Sequence, residues 1–157
     1  MDRAPRFYLL VGIPGSGKTT YARRYLAQTL RISFDDLRLM LTGVAYDSRV
    51  ETAVITVGHA ALEAALARAH VWRRDILLDA TNVTRDRRRQ YLQLAEKYRL
   101  PAVAVYVECS LEAALARDRA RPNRVGDDVV RRYHLQLQPP SVEEGFEEVI
   151  TVSEFSP

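Results

Sequence analysis

Residues 7–20 read F-Y-L-L-V-G-I-P-G-S-G-K-T-T: an unbroken apolar run, a glycine-rich turn, and the start of a helical pattern. Few stretches limit a fold so severely. An apolar run without alternation suits a strand buried on both faces, and a helix must begin within a few residues of its end. Gly12, Gly17, Lys18 and Thr19 fill the fixed positions of the phosphate-binding loop pattern, within Gly12-Ile13-Pro14-Gly15-Ser16-Gly17-Lys18-Thr19-Thr20. The residue types follow from the task. Glycines let successive backbone N–H groups turn into one concavity, and the helix N-terminus adds its partial positive charge. In this pattern the lysine reaches the outer phosphates and the threonine hydroxyl can ligate Mg²⁺. The stretch therefore implies binding of a nucleoside triphosphate.

The 157 residues and their 47% apolar content are enough for a packed core, and we expect one domain spanning 1–157. No apolar run reaches membrane-spanning length, and Phe7–Val11 is too short for a signal peptide, so the expected location is cytoplasmic and away from membranes. One cysteine, Cys109, excludes an intramolecular disulfide framework; it follows an apolar run and is expected to be packed. His59, His70 and His134 lack neighbours at zinc-ligand spacing. A net charge of +3 does not by itself announce a nucleic-acid binder, but the positive charge is almost all arginine, with Lys18 and Lys97 the only lysines. Arginine forks suit bidentate phosphate contacts, although most surface arginines are simply solvated.

Beyond the loop, strand and helix patterns alternate. Strands are expected at Leu30–Ser33, Ile76–Asp79, Pro101–Val107 and Val149–Val152, and helices over 17–28, 49–70, 84–98, 110–120 and 127–137, with Asp35 as the N-cap of a further short helix. This order implies α/β architecture with a parallel sheet covered on both faces, and ligands at the carboxyl ends of the strands. Three groups of residues fall at that rim. Asp35 and Arg38, three apart on a helical turn, offer a carboxylate to take a proton and a guanidinium to orient it or hold an acceptor phosphate; the bland alternative is an N-cap and a solvated pair. Asp79 closes an apolar strand, as metal-holding carboxylates do beside phosphate loops, and Thr81 and Asn82 could touch nucleotide or acceptor; Asp79 and Asn82 could instead only tie down loops. Arg117, Arg121 and Arg124 recur at three- and four-residue spacing and would line one side of a mobile segment, neutralising charge on a transferred phosphoryl group, or else be a solvated helix end.

Together these residues resemble the kinase domain of polynucleotide 5′-hydroxyl kinases, within the small phosphate-loop kinases. The resemblance rests on the phosphate loop, Asp35-Asp36-Leu37-Arg38 as an Asp-x-x-Arg element, Asp79-Ala80-Thr81-Asn82 as a D-x-T-N element, Arg117 and Arg121 as lid arginines, and a closing segment of Tyr133, Pro139-Pro140 and Glu144-Gly145-Phe146. It implies a three-layer fold with a five-stranded parallel sheet in the order 2-3-1-4-5 and a small lid over about 117–130. It implies transfer of the ATP γ-phosphoryl group, with Mg²⁺, to the 5′-OH of DNA or RNA. Lys18 and the loop amides would hold the phosphates, Thr19 and Asp79 the metal, Asp35 the hydroxyl proton, Arg38 the acceptor phosphate, and Arg121 with Arg117 or Arg124 the transferring group. Asp79, Thr81 and Asn82 would lie on the acceptor side, and we expect Arg85 and Arg88 to extend the acceptor track. Relatives commonly carry a phosphatase or ligase domain on the same chain, so a separate partner could supply those functions here. A kinase of a small metabolite, or of a tRNA-linked or precursor hydroxyl group, shares the loop and often the Asp base. A nucleotide switch is disfavoured because no Asn-Lys-x-Asp segment is present.

Overall fold

The computed structural model describes residues 3–153 and 155–157. At its centre lies β1 (Phe7–Val11), every residue of which is buried. It pairs with β3 (Ile76–Asp79) on one side and β4 (Ala102–Val107) on the other, Phe7 lying opposite both Ile76 and Ala102. β2 (Leu30–Ser33) and β5 (Glu148–Val152) form the edges. All four pairings are parallel and the order is β2-β3-β1-β4-β5, as expected.

Side chains alternate across this sheet with the period of two that a strand imposes. Phe7, Leu9 and Val11, with Ile76, Leu78, Ala104 and Tyr106, pack against α3 (Glu51–Trp72) and α4 (Arg85–Lys97). Tyr8 and Leu10, with Leu77, Val103 and Val105, face Ala22 of α1 (Lys18–Tyr25). A third cluster of Ile13, Val83, Ala114, Leu115 and Val130 sits under α5 (Leu111–Ala120) and α6 (Asp127–Gln136). Helices thus lie on both faces of a parallel sheet, the three-layer architecture of phosphate-loop kinases. No helix among the described residues is long and apolar enough to cross a membrane.

Two local features differ from expectation. The first helix stops at Tyr25, not residue 28, because Leu26–Thr29 closes as a turn leading into β2. The N-cap of α2 (Phe34–Thr42) is Ser33, whose hydroxyl accepts from the Asp36 N–H at 3.2 Å, so Asp35 does not cap the helix. A glycine then sets where this helix lies. Gly58, inside α3, is covered by the Phe34 ring so closely that any Cβ there would run into it. Glycine in a helix interior costs roughly 1 kcal/mol relative to alanine; here the absent methyl lets the first residue of α2 lie against α3.

The arginine-rich start of α4 is only partly a solvated face. Arg88 has no exposed surface: Nε and Nη2 donate to the Glu144 carboxylate at 2.8 and 3.1 Å, and Nη1 donates to the Asn82 carbonyl at 2.9 Å. Glu144 also accepts from the Ser141 N–H at 2.8 Å, closing the 3₁₀ turn Val142–Glu144. A buried pair broken on one side leaves an uncompensated charge. Glu144→Ala should therefore cost about 3–5 kcal/mol of unfolding free energy, and Arg88→Met combined with Glu144→Leu distinctly less, as read by urea denaturation; equal losses would show that the pair's charges are solvated rather than buried.

Candidate active site at the carboxyl edge of the sheet

The loop after β1 turns through left-handed backbone at Gly15 and Gly17, with φ of 84° and 95°. These angles suit glycine, and a Cβ at Gly15 would also meet the Ala114 carbonyl of α5. The Gly12 N–H donates to the Thr81 carbonyl at 3.0 Å and the Ser16 N–H to Ile13 at 3.1 Å, which fixes the loop on the sheet. Lys18 opens α1 and folds back, its Nζ donating to the Ile13 carbonyl at 3.0 Å. Burial pushes its pKa down from 10.5 to about 8, against the opposing pull of Asp79 and Asp35. Ser16 Oγ is buried and has no hydrogen-bond partner among the described residues, which is costly unless a ligand supplies one. Pro14 is buried within the loop, and Thr20 is partly buried in the first turn of α1.

Thr19 Oγ1 donates to Asp79 Oδ2 at 2.9 Å. That bond spends the hydroxyl proton on the carboxylate and leaves the oxygen lone pairs for a cation, so the pair suits a hard divalent ion such as Mg²⁺. Asp79 is only 5% exposed, and its Oδ2 also accepts a hydrogen bond from Arg31 Nε at 2.8 Å with Nη2 in ion-pair contact at 2.7 Å, so it is held by Thr19 and Arg31.

On the other side of the rim stands Asp35. With the capping role taken by Ser33, its carboxylate is 85% exposed and pairs with Arg38, whose Nη1 donates to Oδ1 at 2.7 Å. The rest of the Arg38 fork is clamped by Glu51 from the first turn of α3, with Nε and Nη2 donating at 2.6–3.0 Å. That bonding to Glu51 raises the Arg38 pKa above its usual value despite partial burial. The arrangement presents a carboxylate that can take a proton beside a guanidinium whose direction is already set.

Several expected site residues are placed otherwise. Asn82 is buried in left-handed backbone, and its Nδ2 donates to the Leu10 carbonyl at 2.8 Å. Its amide thus stitches β1 to the loop after β3. Thr81 contributes its carbonyl to Gly12 while its side chain is half-buried. Arg88 is the buried partner of Glu144 and cannot extend an acceptor track. Arg85 is half-exposed, but its Nη2 donates to Ser141 Oγ at 3.1 Å and its N–H to Gln138.

The arginines at 117–124 divide as well. α5 ends at Ala120 and Arg121 is already extended, so the three do not share one helical face. Arg117 turns to the loop itself, donating to the carbonyls of Gly15 and Ser16 at 3.3 Å, to Cys109 Sγ at 3.4 Å and to the Phe155 carbonyl at 3.4 Å. Cys109 is partly buried and burial raises its thiol pKa, in keeping with a packed cysteine. Arg121 and Arg124 remain 39% and 47% exposed. Arg121 Nε donates to the fully buried Asp118 at 3.1 Å, while Arg124 donates to Asp127 at 3.1 Å. Asp118 also accepts the N–H groups of Val125 and Gly126 at 2.9 and 3.0 Å. Burial alone would raise its pKa, but those amides and Arg121 hold it below the usual carboxylate range.

Sequence reasoning missed Glu51, Arg31 and Asp118. Glu51 and Arg31 meet partners 13 and 48 residues away, with no spacing to betray them. Asp118 stands three residues from Arg121, a spacing that suggests a pair but not its burial.

Solved structures share this architecture. A chain of the Pnkp1/Rnl/Hen1 RNA repair complex superposes with a TM-score of 0.71 at 22% identity, covering 94% of this chain and 48% of that one. Chaetomium thermophilum Kti12 in complex with ADP-AlF3 gives 0.66 at 20% identity, covering 94% and 89%. A gluconokinase from Sinorhizobium meliloti 1021 gives 0.60 at 17% identity, covering 99% and 86%. The chain spans less than half the length of the repair-complex chains it matches, 42% of one and 48% of the other. These likenesses are of fold. The sequence itself matches a family described as AAA domain over residues 8–140, most of its length, and the chain belongs to that family.

Proposed function

We propose that this protein is a phosphotransferase that moves the γ-phosphoryl group of ATP to a hydroxyl, and that the acceptor is the 5′-OH end of DNA or RNA. The observation that carries the reading is the exposed Asp35 carboxylate paired with Arg38, itself clamped by Glu51, at the same rim as the phosphate loop. The fold likeness to a chain of an RNA repair complex supports the nucleic-acid acceptor.

The chemistry follows from the side chains. Asp35 accepts the acceptor proton as the hydroxyl oxygen attacks the γ-phosphorus; the bond to the β-γ bridging oxygen breaks and ADP leaves. Arg38, its direction fixed by Glu51, holds a phosphate of the acceptor strand and so aims the terminal hydroxyl. Lys18 swings from the Ile13 carbonyl to the phosphates, and the loop amides with Ser16 Oγ take their oxygens. Arg121, released from Asp118, neutralises charge on the moving group, since phosphoryl transfer is largely a matter of positioning and charge. Mg²⁺, held by Thr19 with Asp79 behind it, would supply the remaining positive charge on the phosphate oxygens. We further propose that residues 117–130 act as a lid within one kinase domain.

With γ-labelled ATP, Mg²⁺ and a short 5′-hydroxyl oligonucleotide, label should pass to the oligonucleotide; Asp35→Ala should lower the rate by about 10²–10⁴-fold while sparing ADP binding. Transfer to gluconate or another small hydroxyl compound, with none to the oligonucleotide, would replace the acceptor in this reading. Nucleotide affinity should also depend on pH through Lys18. Its free pKa lies at about 8, and a bound phosphate favours the charged form. Above that pH the free loop loses a proton that the complex retains, so affinity should fall by up to about tenfold per pH unit. Calorimetry in buffers of different ionisation enthalpy should report proton uptake on binding; affinity flat from pH 7 to 10 would remove Lys18 from the phosphate contacts.

A further inference from the structure

Arg31 belongs to no motif of the phosphate loop, yet it grips the buried carboxylate beside it. It lies on the edge strand β2, opposite Leu77, and Ser33 two residues on lies opposite Asp79. Strand alternation therefore puts Arg31 on the same face of the sheet as Asp79. Its Nε and Nη2 both approach Asp79 Oδ2, at 2.8 and 2.7 Å, while its Nη1 donates to Asp36 Oδ2 at 2.6 Å. With Thr19 Oγ1 at 2.9 Å, that one oxygen of Asp79 accepts two hydrogen bonds and has a third nitrogen in ion-pair contact. Asp36 is 56% exposed, so Arg31 bridges a buried carboxylate and a solvated one.

The placement has an electrostatic consequence. A carboxylate only 5% exposed beside a phosphate loop would repel the donor's phosphates, because charges in such a site are weakly screened. Arg31 cancels that charge from within the chain. A divalent cation entering beside Thr19 needs the same carboxylate, so the guanidinium and the metal compete for Asp79, and Asp36 is the anchor on which Arg31 stays. We propose that Arg31 is a built-in counter-cation at the metal side of the site: it neutralises Asp79 so that the loop accepts a metal-free nucleotide, and it sets how strongly a divalent ion and the nucleotide reinforce one another. Arg31 is a positioning residue in this role. The proposal rests on the reading that Thr19 and Asp79 face the donor's metal.

The test is ADP binding by titration calorimetry, with EDTA or with saturating Mg²⁺, on the full chain. Wild type should bind in both conditions, more tightly with Mg²⁺. Arg31→Gln should lose about tenfold or more in metal-free affinity, within the usual range of coupling between two ligands, and regain nearly wild-type affinity with Mg²⁺. A purely structural role would instead lower both affinities together, and that result overturns the proposal, as does an unchanged metal-free affinity. Asp36→Asn changes an exposed anchor and gives the opposite sign: with Arg31 left wholly to Asp79, the Mg²⁺ enhancement should shrink by about threefold or more. An enhancement equal to wild type in Asp36→Asn overturns the proposal even if Arg31→Gln fails to fold. If Mg²⁺ does not strengthen ADP binding to wild type at all, the donor-site reading fails and the proposal with it; if it does so equally in wild type and Arg31→Gln, Arg31 alone is misassigned.

Discussion

Everything at the rim depends on how the carboxyl end of β1 is held. A phosphate loop works by leaving N–H groups unspent, so its own backbone cannot secure it. The surroundings do so instead. The Thr81 carbonyl takes the Gly12 N–H, Asn82 takes the Leu10 carbonyl, and Arg117 takes the carbonyls of Gly15 and Ser16. Two elements distant in sequence thus bind the loop's own backbone groups, one on the β3 side and one from α5. Asn82 accepts left-handed backbone, and Arg88 in turn fixes the Asn82 carbonyl from within α4. The buried pair of Arg88 and Glu144 is remote from any chemistry, yet it terminates the chain of bonds that begins at the loop.

Three arginines of the rim follow a common plan. Arg31 is paired with Asp79 and Asp36, Arg38 with Glu51 and Asp35, Arg121 with Asp118. Each long, rotamer-rich side chain is ordered before any anion arrives, so less entropy is lost when it meets one. Holding the arginine by a carboxylate also costs something, since an incoming phosphate must draw it away or share it. The balance differs among the three. Asp118 and Asp79 are buried and keep strong holds, whereas Asp35 is solvated and holds Arg38 loosely, leaving Glu51 as its firm partner.

What could be read from the sequence was whatever local pattern determines. Apolar runs without alternation gave the interior strands, and the glycine spacing gave the loop. The strand order came from family resemblance, because periodicity is silent on which strands adjoin. The burial of Arg88 was legible but overlooked: it stands three and seven residues before Tyr91 and Ala95, on the inward stripe of α4. Its arginine neighbours at 85, 87 and 89 made the whole stretch resemble an exposed basic track for an acceptor. Asn82 carried a hint too, since asparagine tolerates left-handed backbone where most residues do not. Glu51 and Arg31 carried none. Their partners are brought to them by the tertiary fold, and in one dimension each is an ordinary charged residue.

The contact between Gly58 and Phe34 bears on how substitutions in this chain should be interpreted. Phe34 immediately precedes Asp35, and its ring rests where a side chain on α3 would otherwise be. The height of α2 above its neighbouring helix, and with it the position of the Asp35 carboxylate at the rim, is therefore measured out by a missing methyl group 23 residues further along the chain. A change at Gly58 would look, on a map of conserved chemistry, like a harmless helical replacement. It would act as a spacer inserted under the carboxylate of Asp35, altering alignment through geometry alone while leaving the chemical identity of every polar group at the rim unchanged.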